Sequence, residues 1–390
     1  MVFAGNVMKL SFFDMTISRR TFLVRMAQVA VVGGLLPGLA GCDGLVRDDL
    51  ERGEGYDALL ATLGEQRAGM LLHASLAPSS HNVQPWTVSV VDNDHWVIGI
   101  ADRRRLPAVD PRNREILLSI GAFAESLVLA GGAFGLSCRT RLISDDPYAS
   151  EVLEVRLEQA RSSGYPLSRL LQRRTLRSAF DTREIEAADF SHLVEGDEGF
   201  FYFPSASRES NWLDNATIEA NRQQVKRSDV QQELASWIRW SDAAAARHRN
   251  GLTPEAMGIT GLAGWYVRNF YGRDDVFNKD FRKNTVNRVI SQVSQGGGWI
   301  VVTGRDHSNS SLIDAGRRFQ RMFLRAREKS VGIHPMSQVL EESPWNEKAR
   351  ASLGLPGEPH FLIRTGYSRD YPLPVSLRMP LDRLVSIKPF

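Results

Sequence analysis

Between an apolar helical pattern and an alternating strand pattern lies the segment Ala77-Pro78-Ser79-Ser80-His81-Asn82-Val83-Gln84-Pro85-Trp86. Its two prolines fix φ and interrupt regular structure, so the segment is predicted to be a stiff loop. Four of its side chains both donate and accept hydrogen bonds: Ser79, Ser80, Asn82 and Gln84. A rigid loop with such groups suits a flat heteroaromatic ligand. Serine and asparagine are also common turn residues, so a capped loop without a ligand is the alternative interpretation.

The composition is that of an ordinary globular protein. The chain has 390 residues, of which 43% are hydrophobic and 24% charged, and its net charge is +3. This length supports a substantial core in one large domain or two smaller ones. The small net charge gives no reason to expect a nucleic-acid partner.

The N-terminus has the pattern of an export signal. Ser18-Arg19-Arg20-Thr21-Phe22-Leu23 precedes an uncharged apolar run from Met26 to Ala40, which is short for a membrane span. The paired arginines resemble a twin-arginine signal, and Leu39-Ala40-Gly41-Cys42 resembles a lipoprotein box. Residues 1–41 are therefore predicted to be a signal peptide, Cys42 a lipidation site and residues 42–56 a tether. A buried N-terminal helix is the alternative.

Cysteine and histidine usage points away from disulfide and metal chemistry. Only Cys42 and Cys138 are present, and Cys138 lies in an alternating strand pattern typical of a small core residue. No set of histidines and cysteines has metal-ligand spacing, so no metal site is predicted.

Two helical patterns matter for the fold. The first is predicted to begin with Asp110 as N-cap and Pro111 at the first helical position, and to end at Gly135. Its segment Ile120-Gly121 has a counterpart in Ala315-Gly316 of a later helix, which suggests two related halves. A further helical pattern runs from Asp229 to Arg249.

A cluster of basic side chains follows the break at Gly164-Tyr165-Pro166. Arg173, Arg174 and Arg177, with Thr175 between them, offer several guanidinium groups and a hydroxyl within five residues. Arginine binds phosphate bidentately, so a phosphate monoester is one interpretation. A solvated basic helix end is the other.

Taken together, the two motifs resemble the nitroreductase family. The loop is similar to the flavin-binding loop of these enzymes, and Arg173-Arg174-Thr175-Leu176-Arg177-Ser178-Ala179-Phe180 is similar to their FMN phosphate and ribityl segment. The resemblance narrows to the Acg-type branch, which consists of large single chains with two nitroreductase-like halves. The segments that carry it are Asp110-Pro111-Arg112, Asp314-Ala315-Gly316, Gly366-Tyr367 and Arg378-Met379-Pro380-Leu381.

This resemblance implies an α+β fold, a pseudo-dimer of halves at residues 57–164 and 165–390 around an antiparallel-rich mixed sheet core flanked by helices. Each motif occurs once, so one complete FMN site between the halves is expected. The implied FMN-binding residues are Pro78, Ser79, Ser80, Asn82, Gln84, Arg173, Arg174, Thr175, Arg177, Met336, Gln338 and Arg378. His334, in the segment expected to pass over the flavin, is the candidate catalytic residue. Residues 240–275 are predicted to form either a lid or a structural arm.

The implied function is FMN-dependent reduction of nitroaromatics or quinones. With export through the twin-arginine route, the protein is expected on the periplasmic or cell-surface side, held at the membrane through Cys42. Little NAD(P)H is available there, so the expected electron donor is a quinol or a redox protein. The alternative is a protein that sequesters or senses FMN without turnover. A serine hydrolase using Ser79 or Ser80 lacks the G-x-S-x-G elbow.

Overall fold

The computed structural model describes residues 44–47 and 54–387. The predicted signal peptide, the predicted lipidation site Cys42 and most of the predicted tether lie outside the described residues. The described chain combines helices with two separate β-sheets, and the predicted α+β class is confirmed.

Twelve α-helices occur in the described part of the chain: α1 Glu54–Ala74, α2 Arg114–Ala133, α3 Ser168–Gln172, α4 Ala187–Val194, α5 Arg208–Gln224, α6 Ser228–Trp237, α7 Asp242–His248, α8 Gly261–Phe270, α9 Lys279–Val293, α10 Asn309–Ala326, α11 Gln338–Glu341 and α12 Trp345–Ser352. The strands there are β1 Trp86–Val90, β2 His95–Ile100, β3 Leu136–Leu142, β4 Glu151–Gln159, β5 Phe200–Pro204, β6 Gly298–Gly304, β7 Val331–Pro335, β8 Glu358–Tyr367 and β9 Val385–Ile387.

The two sheets repeat one connectivity. The first has the order β3-β4-β2-β1-β9 and the second the order β5-β6-β8-β7, so β1 to β4 correspond in position to β5 to β8. All pairs among these eight strands are antiparallel. A long helix, α2 in the first half and α10 in the second, connects the second and third strands of each set. The chain therefore contains two halves of the same topology.

Strand β9 crosses from one half to the other. It comes from the C-terminal part of the chain, within residues 165–390, yet it pairs in parallel with β1, where Val88 is opposite Val385. The amide of Val88 donates to the carbonyl of Leu384 (2.8 Å). The buried Arg104 donates to the carbonyl of Arg383 (2.9 Å) and so stabilises the backbone just before β9. The sequence boundary between the halves is thus not the boundary between the sheets.

Helices α2 and α10 pack against each other at the centre of the main hydrophobic core. Helix α2 is long and apolar enough to span a membrane, but 78% of its most apolar window is buried inside the protein. Such burial is the property of a core helix, whose apolar faces pack on protein on all sides.

Helix α2 begins later than the sequence predicts. Asn113 is its N-cap, and the first helical residue is Arg114, because Asn113 adopts a left-handed conformation (φ 54°) that ends the preceding turn. Asp110 still serves the helix, since its Oδ2 accepts a hydrogen bond from the amide of Ile116 (3.0 Å). The predicted cap thus satisfies a first-turn amide from outside the helix.

Candidate functional site

The segment from Ala77 to Pro85 forms the predicted loop, with a short 3₁₀ turn at Ser80–Asn82. Three of its residues, none of them glycine, have positive φ: His81 (48°), Asn82 (53°) and Gln84 (53°). Such angles are unfavourable for residues with a Cβ and persist only where surrounding contacts hold them. Ser79 supplies one such contact, because its Oγ accepts from the amide of Gln84 (2.9 Å).

The side chains of Asn82 and Gln84 hold the loop to the rest of the protein. Asn82 Nδ2 donates to the carbonyls of Gly251 and Leu377 (both 3.1 Å). Gln84 Nε2 donates to the carbonyl of Arg249 (3.1 Å), and its Oε1 accepts from the amide of Met379 (2.9 Å). Neither lines the cavity described next. The side-chain amides of both predicted flavin contacts therefore form hydrogen bonds that hold the loop to the segment 240–275 and to the C-terminal segment.

A cavity of about 320 Å³ lies between the two halves. The loop contributes to one side and the segments around residues 175 and 335 to the other. Eight of the sequence-predicted site residues line it: Pro78, Ser79, Ser80, Thr175, Arg177, His334, Met336 and Gln338. Motifs about a hundred residues apart in the chain thus meet at one cavity.

The remaining predicted arginines lie behind the loop. Arg173 donates to the carbonyl of Leu76 (2.9 Å), and Arg378 donates to the same carbonyl (3.0 Å) and to that of Ala77 (3.2 Å). Arg378 also donates to Asn82 Oδ1 (2.9 Å). Arg174 donates to the carbonyl of Leu373. These three arginines do not line the cavity, but Leu76 and Ala77 directly precede Pro78, which does.

This arginine cluster, Arg173, Arg174 and Arg378, carries uncompensated positive charge. Among the described residues, none of the three forms an ion pair with a carboxylate, and the Nε of each is buried without a hydrogen-bond partner. Burial lowers the pKa of Arg173 to about 9, with Arg47 nearby adding to the effect, and lowers that of Arg378 well below its usual range. Their Nη groups donate to backbone carbonyls, and only their Nε–H groups are buried without partners among the described residues. The cluster therefore places positive charge behind the loop, which favours an anionic group nearby.

His334 is buried and held neutral. Arg364 Nε donates to its Nδ1 (3.3 Å), and β7 and β8 place these two residues opposite each other. Burial lowers the pKa of His334 well below its usual value, and the charges of Arg364 and Arg177 lower it further. Because Nδ1 accepts, the proton of the neutral ring is on Nε2. His334 is thus suited to donate a hydrogen bond and unsuited to act as an acid near neutral pH.

Arg177 and the segment 240–275 close another side of the cavity. The Arg177 guanidinium donates to the carbonyl of Ala256 (2.7 Å), and burial lowers its pKa to about 10. Leu252 lines the cavity, and the amide of Gly251 donates to the carbonyl of Asn82 (3.0 Å). Hydrogen bonds therefore hold the segment 240–275 to the loop at residues 77–85 in this conformation.

Several polar residues of the cavity were not predicted from the sequence, among them Glu115, Asn221, Glu341 and His360. Glu115 stands next to Ile116 in the apolar stripe of α2 and is 8% exposed. A charge inside an apolar helical stripe is a signal that was available in the sequence. Asn221, Glu341 and His360 lie in patterns without such a signal, and only the fold brings them to the cavity.

In comparisons with known proteins, the chain is similar in sequence to a protein described as a probable nitroreductase. No protein-family model matches the chain. A solved structure of a nitroreductase with bound FMN from Bacteroides fragilis NCTC 9343 has a TM-score of 0.28 and 14% identity, covering 50% of this chain and 84% of that one. The probable NAD(P)H nitroreductase PigM of Serratia sp. (strain ATCC 39006) is 24% identical over 330 residues, which cover 78% of this chain and 89% of PigM. Over most of its length, the chain is thus similar in sequence to a nitroreductase.

Proposed function

We propose that the chain is an FMN-dependent oxidoreductase of the Acg-type branch that reduces nitroaromatics or quinones on the outer side of the cytoplasmic membrane. The observation that carries this proposal is the arginine cluster, whose buried charge has no carboxylate partner among the described residues and which adjoins the loop of the cavity. The sequence similarity to a nitroreductase over most of both chains supports it.

In this proposal, two groups of residues would hold FMN. Pro78, Ser79 and Ser80 of the cavity wall would contact the ring and ribityl chain, and the arginine cluster behind the loop would attract the phosphate. Bound flavin supplies a two-electron carrier that passes hydride to an acceptor. His334 and Arg177 line the same cavity, where the Nε2–H and the guanidinium would stabilise negative charge on a reduced ring.

Export determines the electron donor in this proposal. The twin-arginine motif at Arg19-Arg20 and the lipoprotein box ending at Cys42 direct the folded protein to the periplasmic or cell-surface side, where it is lipid-anchored. Because NAD(P)H is scarce there, a membrane quinol or a redox protein supplies the electrons.

One observation favours the alternative, a protein that sequesters or senses FMN. The segment 240–275 is hydrogen-bonded to the loop at Gly251 and contributes Leu252 to the cavity wall. A wall fastened in this way restricts access of an acceptor to bound flavin.

One experiment separates these functions. The protein is purified without residues 1–41, loaded with FMN, reduced anaerobically with dithionite and mixed with a quinone or a nitroaromatic. Flavin that binds, is reduced and is then reoxidised by the acceptor supports the oxidoreductase. Flavin that is reduced but not reoxidised supports sequestration, and failure to bind FMN rejects both.

A further inference from the structure

Two carboxyl groups from different halves of the protein meet at the cavity. Glu115 is in the first turn of α2, and Glu341 is the last residue of α11. The charge of Glu115 acts on Glu341 across this cavity. Ser80 Oγ donates to Glu115 Oε2 (2.5 Å), and Gln224 Nε2 donates to Glu341 Oε2 (2.6 Å). We call Glu115 and Glu341 the carboxyl pair, and both line the cavity.

The carboxyl pair has one cationic partner for two acidic groups. Two ionised carboxylates at one cavity repel each other, so a proton on one member is favoured. Glu115 has a cationic partner, since Arg114 Nη2 donates to its Oε1 (2.9 Å), whereas Glu341 forms no ion pair among the described residues. The proton is therefore on Glu341. Burial and the charge of Glu115 raise the pKa of Glu341 well above its usual value.

The charged groups around the pair favour the same arrangement. On the Glu115 side, burial is outweighed by Arg114 and by hydrogen bonds from Ser80 and Ser337, which lower the pKa of Glu115. Asp110 also faces Glu115, and burial together with that charge raises the pKa of Asp110 to about 7. Ser337 donates to Glu341 as well. Arg114 is thus the cation that compensates this group of carboxyls.

The histidines of the cavity do not supply an acidic proton. Burial lowers the pKa of His81, and His334 is neutral for the reasons given above. Burial and the charge of Arg114 lower the pKa of His360 to about 3, and its Nε2 bonds the carbonyl of Asp306 (3.0 Å). Among the described residues that line the cavity, Glu341 is therefore the group that holds an exchangeable carboxylic proton.

Two buried acceptors in the same cavity indicate a ligand with donor groups. Asn221 is 6% exposed and its Oδ1 has no hydrogen-bond partner among the described residues. His360 is 1% exposed and its Nδ1 is likewise unpartnered there. Buried acceptors without partners cost free energy, so both sites favour a ligand bearing O–H or N–H groups. Such groups are what reduction of a quinone or a nitro compound creates.

We propose that Glu341 is the proton donor to the acceptor during its reduction, and that Glu115 is the residue that positions it. The proposal rests on the proposed oxidoreductase function. Bound reduced flavin would supply the hydride that a quinone accepts, and the carboxyl O–H of Glu341 breaks as its proton forms a new O–H bond on the quinone oxygen. The products are the hydroquinone, oxidised flavin and the carboxylate of Glu341, which solvent reprotonates. Asn221 and His360 accept hydrogen bonds from the hydroxyl groups formed.

The test compares Glu341→Gln with wild type, using the exposed Glu347→Gln on α12 as the matched control. The amide of the variant has the shape of the carboxyl group but carries no acidic proton. We expect the infrared C=O absorption of protonated carboxyl groups, measured near neutral pH without flavin, to lose the Glu341 contribution in Glu341→Gln, leaving that of Asp110, and to be unchanged in the control. FMN affinity stays unchanged, and reoxidation of reduced flavin by a quinone slows by about 100-fold, the range of general acid catalysis.

The pH profile provides a second readout. An acid acts only while protonated, so the wild-type rate of reoxidation falls as pH rises through the raised pKa of Glu341. In Glu341→Gln, this decrease of the rate with pH should be absent. Glu115→Gln removes the neighbouring charge, so the decrease of the rate should occur at lower pH. Glu115→Gln also provides the test if Glu341→Gln does not fold. A wild type that binds no flavin overturns both proposals. Flavin that turns over with the same rate and pH profile in Glu341→Gln overturns this one alone.

Discussion

Gly121 and Gly316 occupy equivalent positions in the two helices that cross at the centre of the protein. A Cβ on Gly121 would lie 2.1 Å from the carbonyl oxygen of Ile313, and a Cβ on Gly316 would lie 2.1 Å from that of Leu118. In each case the contacted carbonyl is three residues before the glycine of the other helix. The contact is therefore reciprocal, as expected for helices related by a local two-fold axis.

Gly121→Ala is expected to destabilise the protein by about 1–3 kcal/mol, because the new methyl group meets backbone that cannot rotate away. Gly132→Ala, on the same helix, is the control, since its Cβ would meet only the side chain of Ser163, which can move. We expect Gly132→Ala to be neutral or stabilising. Urea unfolding measures both, and equal stability of the two variants would contradict the close helix crossing.

Arg173→Met is expected to weaken FMN binding by about 10- to 100-fold, the loss of a hydrogen bond to a charged group. Riboflavin, which lacks the phosphate, should bind wild type and variant alike. Arg139→Met is the control, because Arg139 is exposed on β3 and pairs with Glu158. Titration by flavin fluorescence measures the dissociation constants. An equal loss of FMN and riboflavin affinity would reject the phosphate assignment.

Asn82→Gly is expected to weaken the attachment of the segment 240–275 to the loop. Glycine retains the positive φ of this position but removes the side-chain bonds to Gly251 and Leu377. We expect limited proteolysis to cut faster within residues 240–275. Asn93→Gly, in the exposed turn between β1 and β2, should leave the cleavage rate unchanged. Identical digestion of the two variants would show that Asn82 does not fasten the segment.

The contribution of Asp110 to stability should fall as pH rises from about 4 to about 7. Burial and the charge of Glu115 raise the folded-state pKa of Asp110 from 3.8 to about 7, so the folded protein binds the proton more tightly than the unfolded chain does. This contribution to stability is present below the unfolded pKa and is lost as pH rises through the folded value. Asp110→Asn lacks this contribution, so its melting temperature should rise relative to that of wild type as pH increases over this range. A constant difference between the two melting temperatures would contradict the raised pKa of Asp110.

The motifs identified by sequence do meet in the fold, since Ser79 and Ser80 line the same cavity as Thr175 and Arg177. This was predictable because each motif is a short run of neighbouring residues whose chemistry can be recognised in a single sequence. The roles of Asn82 and Gln84 were not predictable, because their partners are backbone carbonyls distant in the chain.

Local patterns failed where distant contacts decide the backbone. The helical pattern from Asp229 to Arg249 is interrupted after Trp237, where Ile238 forms a parallel bridge to Leu252 and the amide of Arg239 donates to the Leu252 carbonyl (2.8 Å). Side-chain periodicity carries no information about such a backbone pairing. For the same reason Glu341 was not predicted as a site residue, because only the fold brings it to the same cavity as Glu115 of the other half.

The parallel pairing of β9 with β1 has a consequence for how the chain folds during synthesis. The ribosome must pass residue 387 before this edge of the first sheet is covered, so until then the nascent first half exposes unpaired backbone groups along β1. The first sheet is therefore completed only when the C-terminal segment has been synthesised.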